Sequence, residues 1–104
     1  VDTLLSKKRD ITAIFCLDDE MAHGAIMAIK RHGLQCPGNI SVLGYDGMEA
    51  GEFFDPPLTT VSRPVVLMGK SALKLLEEKM GDKSPKVVMV EAAIQERGSC
   101  KKAG

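Results

Sequence analysis

The sequence predicts an α/β fold, a parallel sheet with flanking helices. Two observations carry that expectation. Short apolar runs at residues 12–17 and 40–43 bracket an amphipathic helical pattern, with brief connections on both sides. Strand, helix and strand joined this tightly form a βαβ unit, with parallel strands and a right-handed crossover. A β-prone run at 58–61, a second helical pattern at 64–80 and an apolar run at 87–90 continue the alternation.

Residues 1–10 read as the last turn of a helix and a polar loop, because Leu4 and Leu5 precede Ser6-Lys-Lys-Arg-Asp10. A chain that opens inside a helix is expected to have an upstream part. Thr12-Ala-Ile-Phe-Cys-Leu17 is continuously apolar, the pattern of a strand buried on both faces. Asp18, Asp19 and Glu20 end that strand and suit the positive end of a helix, with Asp19 best placed as its cap. Met21, Ala22, Ala25, Ile26 and Ile29 then recur on a helical repeat. Lys30, Arg31 and His32 complement the negative end of the helix, and Gly33 suits a left-handed cap. Cys36-Pro37-Gly38-Asn39 is a turn.

The second strand follows and stops at Gly44, delivering the ring of Tyr45 and the carboxylate of Asp46 at its end. Residues 48–54 are compatible with a helical turn. Asp55-Pro56-Pro57 cannot continue a helix and forces an extended path into the third strand. Pro64 suits a first helical turn. Val65, Leu67, Met68, Ala72, Leu75, Leu76 and Met80 follow at helical spacing until Gly81 stops them. Residues 87–90 are expected as a fourth strand and 97–104 as a fraying tail.

The chain has 104 residues, enough for one domain or a piece of one. Aromatic residues are only 4%, so the core must be aliphatic, with six Met as gap-fillers. The formal net charge of +0, with basic residues scattered, offers no patch for a phosphate backbone. Three cysteines without a CxxC spacing argue against a disulfide framework or a zinc site, and the expected compartment is the reducing cytoplasm. Cys16 sits in an apolar run as a small core residue. No signal-peptide pattern and no run long enough to cross a bilayer appears, so no membrane role is expected.

Ligands of open parallel sheets bind beyond the carboxyl ends of the strands. Asp18 after the first strand and Asp46 after the second fall there. A carboxylate suits sugar hydroxyls or the N–H edge of a base. An acid after a strand also serves as a cap or turn former, and both roles stay open at this level. Asp19, Glu20 and His23 resemble half of a metal site, but further ligands are missing and a solvated or interface face is the simpler reading. There is no Gly-x-Ser-x-Gly, no phosphate loop and no GxGxxG, and neither histidine has an evident nucleophile partner. No catalytic set, metal or cofactor is expected.

Several segments, in order and spacing, resemble one family. They are Thr12-Ala-Ile-Phe15, Asp18-Asp-Glu-Met-Ala-His-Gly-Ala25, Gly33-Leu34, Pro37-x-x-Ile-Ser-Val-Leu-Gly-Tyr-Asp46, Asp55-Pro-Pro-Leu-Thr-Thr-Val61, Met68-Gly69 and Arg97-Gly-Ser-Cys100. Over nearly the whole chain they resemble the effector-binding domain of the lactose/purine/galactose (LacI/GalR) repressor family. The resemblance implies a periplasmic-binding-protein-like (type I) fold of two α/β subdomains around a cleft. The chain looks like a C-terminal fragment of it. Residues 11–58 would belong to the C-terminal subdomain, 59–63 to a crossover, 64–86 to the N-terminal subdomain, and 87–104 to the return strand and tail. The DNA-binding headpiece that contacts operator DNA would lie outside.

The resemblance also implies roles. Asp46 matches the acid that contacts a small-molecule effector, a sugar or a nucleoside or purine. Asp18 falls where the family often has Asn, and Arg63 where it often has Gln. Those changes alter donors and charge at the cleft. His23 and Phe54 match positions of a homodimer interface, while an ordinary core role for Phe54 is equally open. The implied function is effector binding and dimerisation in a transcription regulator, without chemistry of its own. The alternative is a fragment of a periplasmic sugar-binding protein serving an ABC transporter. An enzyme, such as a nucleotide-using α/β domain, is a third reading that the missing phosphate loop disfavours. A fragment of this kind is expected to bury its apolar faces poorly alone and to need a second copy, a swapped exchange or the missing chain.

Overall fold

The computed structural model describes residues 1–7, 10–81 and 84–103. The expected polar loop at 8–9 and residues 82–83 lie outside the described residues. The chain forms two compact units: Val1–Ser62 together with Ala93–Gly104, and Arg63–Ala92.

In chain order the elements are α1 (Asp2–Lys7), β1 (Ala13–Phe15), α2 (Asp19–Arg31), β2 (Ser41–Asp46), a 3-10 turn (Glu49–Phe53), β3 (Thr59–Ser62), α3 (Val65–Lys79) and β4 (Ala93–Gln95). The sheet of the first unit has the order β1-β2-β3-β4. β1 pairs parallel to β2, with Ala13 opposite Ser41 and Phe15 opposite Leu43. β2 pairs parallel to β3 from Leu43 opposite Thr59 to Asp46 opposite Ser62. The predicted α/β class and its βαβ unit are therefore present.

The fourth strand is not at 87–90. It is Ala93–Gln95, and it runs antiparallel to β3, with Val61 opposite Ile94. A β-prone run becomes a strand only where a partner supplies the ladder. Residues 87–90 fall in the second unit, where no described strand pairs with them. Val88 and Val90 instead line a concavity with Met68, Ala72 and Leu75 of α3.

α2 follows from its sequence. Asp18 caps it, and Ala22, Ala25, Ile26 and Ile29 form the buried face. Gly33, at φ 73, turns the chain away at its end, a conformation glycine adopts without penalty. The face packs on Cys16, Ile40, Val42 and Leu58 of the sheet side, with Leu5 of α1 joining them. Ile26, Ile29, Val42 and Leu58 are fully buried, and burial of each such side chain stabilises by roughly 1.5–3 kcal/mol. Asp2 fixes the entry of α1 through Arg31 at 2.9 Å and His32 at 3.2 Å. The Arg31 hydrogen bond holds the Asp2 carboxyl below its usual range.

The run 12–17 is covered on one face only. Ile14 and Cys16 turn to the core, while Phe15 and Leu17 are 66% and 81% exposed. Parallel sheets bury both faces under helices. Here α2 covers one, and the other carries a cavity of about 710 Å³ lined by Ala13, Phe15, Ser41, Leu43 and Lys101 among others.

The end of the chain is not a fraying tail. The pairing of β3 with β2 begins at Leu43, which leaves the same edge of β2 open at Val42. Ser99 fills it. Its carbonyl accepts from the Val42 N–H at 2.8 Å. Its fully buried hydroxyl donates to the Val42 carbonyl at 2.6 Å and accepts from the Thr59 N–H at 2.8 Å. Arg97 donates to the Leu58 carbonyl at 3.1 Å and Gly98 to the Pro57 carbonyl at 2.9 Å.

In the second unit, none of the residues of α3 is buried. Val66, Leu73 and Leu76 are 73%, 59% and 66% exposed. An amphipathic helix gains its stability from a covered apolar face, and this one has nothing comparable to the first unit's core.

Candidate functional site

β1 and β2 lie in parallel register with Phe15 opposite Leu43. Asp18 lies three residues after Phe15, and Asp46 three after Leu43, as the last residue of β2. Both acids therefore arrive at the carboxyl edge of the sheet, where ligands of such folds bind. Asp46 ends the ladder opposite Ser62.

The backbone at Asp46 is unusual. Its φ is 115°, and Gly47 follows at φ 72°. A non-glycine residue held there costs on the order of 1–3 kcal/mol, and such residues cluster at ligand sites. The strained turn is held from below. Asp19, fully buried, accepts from the Met48 N–H at 2.7 Å and from the Thr60 hydroxyl at 2.6 Å. Thr60 in turn accepts from the Gly47 N–H at 3.2 Å. One buried carboxylate thus fixes the two residues that follow Asp46, one directly and one through a hydroxyl. Gly44 makes room for it, since a Cβ at Gly44 would fall onto the Asp19 carboxylate. A Cβ at Gly47 would lie 2.8 Å from the Ser62 hydroxyl, so the turn also fits tightly against β3.

The cap of α2 is Asp18, and not Asp19 as the sequence suggests. Asp18 is the cap: it lies in extended backbone and accepts from the Met21 N–H at 2.7 Å. Asp19 is the first helical residue and its side chain descends into the sheet. The reason is helical phase. Asp19 shares the inward face with Ala22, Ile26 and Ile29, whereas a cap must precede the helix. Sequence reasoning missed the network of Asp19 and Thr60, although a carboxylate in phase with the apolar face was its signal.

His23 and Phe54 come together. Their rings stack with centroids 4.1 Å apart and planes 15° from parallel. Phe54 also packs against the core cluster, so it is partly a core residue. Its neighbour Phe53 is 85% exposed, and Met27 on α2 is 48% exposed. Glu20 joins no metal cluster, and no group of three or more potential metal ligands occurs among the described residues. Arg63 follows β3 directly and opens the second unit. No helix is long and apolar enough to cross a membrane among the described residues.

Comparison with known proteins adds a family to this geometry. A family model described as a periplasmic binding protein-like domain matches residues 2–100. The HTH-type transcriptional repressor PurR of Vibrio campbellii is 38% identical over 103 residues, covering 97% of this chain and 31% of the relative. The HTH-type transcriptional regulator MalR of Clostridium butyricum is 42% identical over 101 residues, covering 96% and 30%. Among solved structures, the lac repressor dimer bound to operator and the anti-inducer ONPF superposes with a TM-score of 0.85 at 30% identity, over 95% of this chain and 35% of that one. A complex of the transcriptional regulator CelR with cellobiose superposes with a TM-score of 0.83 at 31% identity, over 92% and 30%. The chain spans about a third of the length of these relatives.

Proposed function

The chain belongs to the periplasmic binding protein-like domain family, in the form carried by LacI/GalR transcription regulators, and on that premise we propose that it is the effector-binding and dimerisation part of such a regulator. The observation that carries this reading is Asp46, a strained acid at the carboxyl edge of a parallel sheet, locked by a buried network. Maintaining an unfavourable backbone at the carboxyl end of a strand has a cost, and a ligand contact explains why it is kept.

The effector is a small polar molecule of the sugar or nucleoside and purine class. Asp46 accepts hydrogen bonds from its hydroxyls or N–H groups. Asp18 and Arg63 supply further polar contacts, Asp18 while its side chain also caps α2. Residues 11–58 act as part of one subdomain, 59–63 as a crossover, 64–86 as part of the second, and 87–104 as the return segment. The open sheet face at Phe15 and Leu17 and the bare face of α3 are where the rest of the binding domain packs. Effector binding shifts the equilibrium between subdomain arrangements and so changes operator affinity through a DNA-binding part outside these residues. The regulator works in the cytoplasm, and the chain binds without catalysing a reaction. A homodimer forms through the stacked His23 and Phe54, with Phe53 and Met27 as exposed apolar anchors beside them.

Two results test this reading. In the full-length protein, Asp46→Ala is expected to weaken effector binding by roughly 1–3 kcal/mol in calorimetric titration, the value of a charge-assisted hydrogen-bond set. Unchanged affinity removes Asp46 from the site. The 104-residue chain by itself is expected to associate, because α3 and one face of the sheet are uncovered. A monomer by light scattering, with a cooperative melt, contradicts that.

A further inference from the structure

We infer that Cys36 and Cys100 form an oxidisable dithiol, a modification site for peroxide that ties the C-terminal segment to the turn before β2. Each thiol bonds a backbone carbonyl of the paired residues Val42 and Ser99. The Cys100 thiol donates to the Val42 carbonyl at 3.2 Å. The Cys36 thiol donates to the Ser99 carbonyl at 3.5 Å, and that carbonyl accepts from the Val42 N–H at 2.8 Å. The N–H and C=O of one strand residue point to the same edge of the sheet, so both sulfurs sit beside the Val42–Ser99 contact. Both lie within the first unit, and their separation of more than sixty positions in sequence is closed by the fold. Cys16, the third cysteine, is buried in the core under α2 and is not part of the pair.

The environments of the two sulfurs divide the chemistry between them. Cys100 lines the open cavity on the uncovered face of the sheet and is the first target of a small oxidant. Cys36 is half-buried. Burial, and next the neighbouring Cys100 sulfur, push its thiol up to about 11, so it stays protonated at neutral pH and does not react first. Hydrogen peroxide oxidises the Cys100 sulfur: an S–O bond forms, the O–O bond breaks and one water leaves, giving a sulfenic acid. The Cys36 sulfur then attacks. An S–S bond forms, the S–O bond breaks, and the departing oxygen leaves as a second water with the Cys36 proton. Two thiols and one peroxide become one disulfide and two waters.

The consequence is mechanical. Ser99 already bridges Val42 of β2 and Thr59 of β3. A disulfide beside it makes that attachment covalent and removes freedom from the unfolded chain. This inference does not depend on which effector is bound.

The test is mass spectrometry on the full-length protein, treated with hydrogen peroxide under native conditions, then alkylated and digested without reduction. The expected result is a linked Cys36–Cys100 peptide pair, lighter by two hydrogen atoms, with Cys16 alkylated. The linkage forms faster as pH rises and is lost when oxidation is done in denaturant. Cys36→Ala is expected to leave a trappable sulfenic acid at Cys100 and no linked peptide. The oxidised wild type is expected to melt several degrees higher than the reduced one. Full alkylation of both cysteines after oxidation overturns the proposal. So does a linkage that involves Cys16 as often as the pair.

Discussion

Gly44→Ala is expected to destabilise the first unit by ~3–5 kcal/mol, much of a typical domain's margin. The added Cβ falls onto the Asp19 carboxylate and 2.9 Å from a methyl of Leu58. Neither neighbour can yield. Leu58 is fully buried in the core, and Asp19 is anchored by Met48 and Thr60. The cost therefore combines overpacking with the loss of at least one charged hydrogen bond. Urea unfolding of the full-length protein should show a lower midpoint with an unchanged slope. A midpoint equal to wild type means that the carboxylate does not occupy the space above Gly44. The reason for glycine here is room, since the positive φ values of this turn belong to Asp46 and Gly47 and not to Gly44.

Asp19→Ala is the second large effect, expected at ~2–4 kcal/mol. It strips the Met48 N–H of its acceptor and the fully buried Thr60 hydroxyl of its own. Asp19→Asn should fall between, because an amide keeps the shape and offers only one acceptor oxygen. Loss of the network also frees the turn that holds Asp46, so effector affinity should fall in both variants with Asp46 itself intact. Thr60→Val removes the hydroxyl that links Gly47 to Asp19. In a double-mutant cycle, Asp19→Ala and Thr60→Val should couple by roughly 1 kcal/mol or more. Additive effects would show that the two residues act separately.

The βαβ unit was legible because its signals are local. Apolar runs, a capped amphipathic helix and Gly33 each report their own structure without knowledge of the rest. Signals that depend on a distant partner were not legible. The run 87–90 carries β-prone residues and lacks a strand to pair with, whereas Ala93–Gln95 has little β character and is recruited by β3. Ser99 looks like a tail residue until the open edge of β2 at Val42 is seen. For the candidate site, the placement of Asp46 at the end of a strand is legible in the sequence, and the family resemblance proposes its role. The cap falls on Asp18 and not on Asp19 because adjacent acids differ only by helical phase, about a hundred degrees on the helix. The stacked contact of His23 and Phe54 joins α2 to the residue after the 3-10 turn, and nothing local encodes it.

The most direct test of effector binding at Asp46 is a thermal-shift screen of the full-length protein against sugars, nucleosides and purines, run in parallel on wild type and Asp46→Ala. A ligand that binds only the folded state raises the melting temperature in proportion to its affinity. The prediction is an upward shift with one of these classes in the wild type that shrinks or vanishes in Asp46→Ala. An equal shift in both proteins contradicts it.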